Sequence, residues 1–209
     1  MAHAARLVLL AAIACTVVRA LDTSKYPHSQ ELKAGDMKIY WKIEGDLLKL
    51  ALEATATGWV AFGLGETTGM KGADIVYYEH AEKRVTDAHV LAVDAKPIAD
   101  KCQDWTLVAA EQNGNKLVVE VSRKLASSDP QDRDITRDDA PPLLPTPVIA
   151  AWGSGKMAYH GQNRVGGRVR FFGNAAAGND FAKLNATGDV KTFDFKVSSF
   201  SIPAEETRY

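Results

Sequence analysis

Two short stretches place a metal-competent side chain among glycines. "GETTGMKGAD" (65–74) carries Met70, and "GKMAYHGQNRVGG" (155–167) carries His160. Glycine lets backbone and a bound group approach closely, and each stretch adjoins an apolar run. A thioether and an imidazole are both ligand types that can hold one iron. Each residue also has a plain role: a methionine fills gaps in a core, and a lone histidine is commonly a hydrogen-bonded surface or core group. Arg164, four residues after His160, has the forked guanidinium that pairs with a propionate. Phe62, Leu64, Val76, Tyr78, Trp152 and Tyr159 are the side chains available to line an apolar slot.

Other constellations are weaker. Glu79 and Asp87, at the ends of neighbouring strand-like runs, are cation ligands or simply solvated strand ends. "DPQDRD" (129–134) carries three acids but lacks the glycine and terminal glutamate of a calcium loop. It reads as a solvated loop held by side-chain turns at Asp129 and Asp132. His80 and His89 lie near Glu79 and Asp87 without ligand spacing, and His28 reads as surface. "GLGETTG" leads into a strand rather than a helix, and "GSGK" lacks phosphate-loop spacing. Cys-x-x-Cys, His-Glu-x-x-His and Gly-x-Ser-x-Gly are absent from the sequence.

The elements that must position these residues are short runs rich in β-branched and aromatic residues, bounded by turn formers. Strands are predicted at 37–43, 47–54, 58–64, 73–80, 87–93, 104–111, 116–123, 146–153, 167–173 and 190–202. Asn113-Gly114 marks a hairpin between the seventh strand and the one before it. About ten strands without a sustained helical period predict an all-β, antiparallel β-sandwich. The Asp- and Pro-rich segment 123–147 and the segment 173–189 read as long loops inside one domain.

The 209 residues begin with Arg6, an apolar run from Leu7 to Val18, and Val18-Arg19-Ala20. That is the layout of a secretory signal cut after Ala20, too short to span a bilayer. The expected mature chain starts at Leu21 and is secreted. Without Arg6 and Arg19 its 23 basic residues face 26 acidic ones, a balance of −3. No basic block interleaves with aromatics, so nucleic acid is excluded as a partner on charge, and anionic membranes likewise. Cys15 leaves with the signal. Cys102 is then buried, free, or paired outside the domain. Asn185 in "NAT" is a glycosylation acceptor.

"GWVAFGLGETTGMKGADIVYY", "QDWTLVAAEQNGNKLVVEVSRKLASSDPQDRDI", "TPVIAAWG" and "AYHGQNRVGGRVRFFG" together resemble the DOMON domain, in the version found in dopamine β-monooxygenase-like copper enzymes. The resemblance implies an immunoglobulin-like β-sandwich over residues 21–189 with a ligand slot between the sheets. It further implies haem b held by Met70 and His160, with a redox partner. Other DOMON domains are thought to bind sugars, and one carries a metal-type site without haem. "KTFDFKVSSFSIPAEETRY" (191–209) resembles the opening of the copper monooxygenase core, so the chain also reads as the front piece of such an enzyme. None of the core's copper ligands is present. Where the family tends to have a cysteine this chain has Ser128, which leaves Cys102 for any covalent tie to a catalytic domain.

Overall fold

The computed structural model describes residues 21–93, 95–137 and 144–172. The signal at 1–20, the second long loop, Asn185 and the run at 190–202 lie outside them. Among the described residues eleven strands follow a short 3₁₀ turn at Thr23–Lys25. They are β1 (His28–Lys33), β2 (Met37–Glu44), β3 (Leu47–Thr55), β4 (Trp59–Leu64), β5 (Asp74–Glu79), β6 (Arg84–His89), β7 (Ile98–Ala99), β8 (Thr106–Asn113), β9 (Lys116–Lys124), β10 (Thr146–Gly153) and β11 (Arg164–Val169). Two antiparallel sheets form, ordered β1-β2-β3-β9-β8 and β11-β10-β4-β5-β6-β7. Among the described residues no helix is long and apolar enough to cross a membrane.

The sandwich closes on side chains alternating inward from both sheets. Ile39, Trp41, Leu50, Leu52, Val119 and Val121 of the first sheet meet Val60, Phe62, Leu64, Val76, Tyr78, Val148 and Trp152 of the second. This core fills the space between the sheets where a ligand slot is expected. Trp41 is fully buried and satisfies its indole N–H on the carbonyl of Phe171 at 3.0 Å. The expected hairpin forms, with Asn113 opposite Lys116 and Gly114 at φ +59°.

Four elements differ from the sequence reading. β1 and the two-residue β7 are short edge strands without a strong apolar pattern. β6 runs 84–89 rather than 87–93, because its centre holds a buried aspartate, Asp87, that looked like a boundary. β11 runs 164–169 rather than 167–173. Its Gly166 is a packing requirement, since a Cβ there would stand 2.2 Å from the carbonyl oxygen of Thr68. The loop carrying Met70 therefore crosses directly over β11.

Candidate functional site

The second sheet is apolar on both faces. Its outward face carries Trp59, Ala61, Ile75 and Val90, with Met70, Tyr77, Ala95, Ile149, Ala151 and Met157 packed against them. Strand register sets out the rows. Arg164, Ala151, Ala61, Tyr77 and Thr86 are successive cross-strand partners, so their side chains share this face. Small residues at the middle of that row leave a low floor between Arg164 and Tyr77.

Loops from opposite ends of the sheet border the floor. Residues 65–73 leave the end of β4 and bring Met70 onto it. Residues 154–163 leave the end of β10, which is the start of β4, and bring Met157. That second loop is fastened: Glu79 accepts the N–H of Met157 at 3.0 Å, and a Cβ on Gly58 would lie 2.2 Å from the backbone of Gly155. His160 follows three residues after Met157. It is half-buried, and its Nδ1 has only a 3.3 Å contact with the Gly161 carbonyl. Tyr159 beside it is 81% exposed, its ring 5.2 Å from the imidazole.

The register corrects the expected lining. Phe62, Leu64, Val76, Tyr78 and Trp152 alternate to the inward face and belong to the inter-sheet core, with Met70 on the far side of the sheet. Tyr159 is too exposed to form a wall. The lining next to Met70 is instead Trp59, Ala61, Ile75, Tyr77 and Ala151. Glu79 and Asp87 also separate. Glu79 is opposite Trp59 on the outward face, whereas Asp87 is opposite Val76 on the inward one, so the two cannot share a cation.

Asp87 has other company. Ligand oxygens of Asp74, Asp87 and Asp132 lie within 4.8 Å of one another at one edge of the core, and Asp132 forms a second such group with Asp104 and Asp129. Arg123, fully buried, donates from Nη1 to Asp74 at 2.6 Å and from Nη2 to Asp132 at 3.5 Å. Its guanidinium also lies 5.3 Å from the Trp105 ring. One guanidinium cannot satisfy three buried carboxylates. Among the described residues Asp74 Oδ1, Asp87 Oδ1 and Asp132 Oδ1 are buried without a hydrogen-bond partner, as is Oδ2 of Asp100, whose other oxygen contacts His89 Nδ1. Burial pushes the Asp87 carboxyl up to about 7, helped by Asp74 and Asp132 and opposed by the Asp104 N–H. Burial likewise raises Asp132 to about 6. At Asp74, too, burial outweighs the pull of Arg123 and the Arg133 N–H, so its carboxyl is raised. Asp129 forms the expected side-chain turn with Gln131 N–H, but Asp132 is no solvated loop residue.

The family model of the DOMON domain matches residues 33–142. This chain belongs to the DOMON domain family. Its relatives include DBH-like monooxygenase protein 1 of Gallus gallus, 29% identical over 195 residues covering 88% of this chain. DBH-like monooxygenase protein 2 of Mus musculus is 26% identical over 169 residues, 79% of this chain. The chain spans 29% and 26% of the lengths of those two relatives. Among solved structures, the cytochrome domain of Myriococcum thermophilum cellobiose dehydrogenase aligns with 11% identity and a TM-score of 0.46, over 75% of this chain and 88% of that one.

Within this DOMON domain the outward face fits a flat apolar cofactor on its own chemistry. It offers a thioether at Met70, a floor of two alanines, and Arg164 in the floor's own row, while His160 lies three residues beyond Met157 in the bordering loop. Sequence reasoning missed Met157, Asp74 and Arg123, and read Asp132 as a solvated turn residue. Met157 was legible in "KMAYH". Asp74 and Arg123 gave no local signal, because they are 49 residues apart and meet only across the sandwich.

Proposed function

We propose that this DOMON domain holds haem b on the outward face of its second sheet, between Met70 and His160, and passes single electrons to a redox partner. The observation that carries the reading is that Met70 rests on an apolar floor, built around Ala61 and Ala151, which the loop of His160 also borders. Bound there, haem would supply a reversible ferric–ferrous couple, and a thioether ligand favours the ferrous state. Met70 and His160 would ligate the iron, Trp59, Ile75 and Tyr77 would exclude water, and Arg164 would offer a positive charge to a propionate. The test is the absorption spectrum of the secreted chain expressed with adequate haem supply. A Soret band with sharp low-spin bands on reduction is expected, and His160→Ala should lose them. Protein that stays colourless through haem titration ends the reading.

A second reading concerns the inward acids, where the unpartnered oxygens of Asp74, Asp87 and Asp132 suit a hard divalent cation such as calcium. One guanidinium faces three carboxylates whose burial favours the protonated form, and a bound cation would hold them ionised. Calcium added to chelator-treated protein should raise Tm in wild type and leave Asp87→Asn unchanged. An equal rise in both would exclude this site.

A further inference from the structure

The outward face of the first sheet has a row that ought to be wet. Tyr40, Ala51, Glu120 and Ala109 are cross-strand partners facing away from the core. Yet Ala51 is 0% and Glu120 2% exposed. The segment ahead of β1 covers them. Lys25 Nζ lies 2.7 Å from Glu120 Oε1, and burial followed by the nearby Glu120 charge pushes the Tyr26 hydroxyl pKa up. Asp22 caps the short turn through the Ser24 N–H at 3.0 Å. The segment starts at the backbone nitrogen of Leu21, which donates to Glu111 Oε2 at 2.6 Å in a half-buried setting. Glu111 stands in the next outward row, with Val118, Glu53 and Lys38.

We propose that residues 21–26 form a strap that proteolytic removal of residues 1–20 tightens, with Glu111 as the receptor for the new terminus. Hydrolysis by a processing peptidase of the export pathway breaks the Ala20–Leu21 bond and adds one water. Ala20 keeps the hydroxyl as its carboxyl, which gives up a proton at neutral pH. The Leu21 nitrogen gains the water's hydrogen and a proton to become an ammonium. Before the cut Glu111 accepts from a neutral amide with one hydrogen. After it the same carboxylate faces a full positive charge at the same atom, a shorter and stronger class of hydrogen bond. A cut one residue away would set the charge about 3.8 Å along the chain, off the carboxylate. Two polar anchors then hold the strap, Leu21 on Glu111 and Lys25 on Glu120, with Tyr26 buried between them and β1.

The experiment secretes the full-length chain and a variant with one serine inserted before Leu21, each with and without Glu111→Gln, and reads N-terminal sequence and Tm. Wild type should begin at Leu21 and melt about 2–4 °C above the serine variant. Glu111→Gln should abolish that difference. The carboxylate pairs only with the charged amine, so the advantage should be present near neutral pH and fade as pH rises past about 8, the ordinary α-amino value. A mature terminus other than Leu21, equal melting of the two chains, or a difference that survives Glu111→Gln would overturn the proposal. None of these outcomes depends on haem.

Discussion

Arg123 on β9 and Asp74 on β5 meet across the sandwich, guanidinium to carboxylate at 2.6 Å, with side chains 0% and 1% exposed. This ion pair ties the two sheets together at the edge of the core, next to Asp87 and Asp132. Removing one partner of such a pair leaves a buried charge uncompensated. Arg123→Met is therefore expected to cost about 3–5 kcal/mol, and Arg123→Met with Asp74→Leu markedly less. Chemical denaturation of the single and double variants measures both. A double variant no more stable than Arg123→Met alone would show that the pair is not the unit.

The acids around Arg123 give a pH dependence of definite sign. Unfolded aspartates titrate near pH 4, while folded Asp132 and Asp87 are raised to about 6 and about 7. Between those values the folded chain holds more protons, so their contribution to stability is full below about pH 4 and declines through pH 6–7. In chelator, Tm should fall from pH 5 to pH 8, and Asp87→Asn should flatten the fall. A wild-type Tm that rises over this range would contradict the assignment.

The two faces of the second sheet should separate by mutation. Trp152→Ala empties the inter-sheet core and should cost about 3–5 kcal/mol, while the fraction still folded keeps its haem spectrum. Ala151→Trp, one residue away, fills the outward floor and should abolish haem uptake with little change in Tm. Spectral titration beside thermal melting distinguishes them. The converse pattern would put the cofactor between the sheets.

Gly166 permits the Met70 loop to lie over β11. Gly166→Val would drive a side chain into the Thr68 carbonyl, and that loop must lift. Haem affinity should drop at least tenfold, with the far-UV spectrum of the sheets preserved. Unchanged affinity would mean that the position of Met70 does not matter to binding.

Much of the architecture was legible in the chain itself. Period-2 runs, turn residues and Asn113-Gly114 gave the all-β class and the β8–β9 hairpin, because those signals are local. The loop at Met70 was legible for the same reason, its glycines flanking the methionine. β6 was misplaced because a buried aspartate in mid-strand contradicts the local pattern and is tolerated only beside partners from other strands.

By itself, then, the sequence determined a secondary-structure class, a set of turns and two ligand-type residues in glycine-rich loops. Only the tertiary structure decided which face each residue serves. "WVAFGL" and "DIVYY" are apolar on both sides, so alternation could not say that Ala61 and Tyr77 look outward toward Met70 while Phe62 and Tyr78 look inward. Parity in a strand is fixed by pairing and by what packs on each face, and a doubly covered strand carries no polar side to mark it. The same holds for Asp74, Asp87, Asp132 and Arg123. Their juxtaposition is a property of two sheets closing on each other, and no spacing along the chain encodes it.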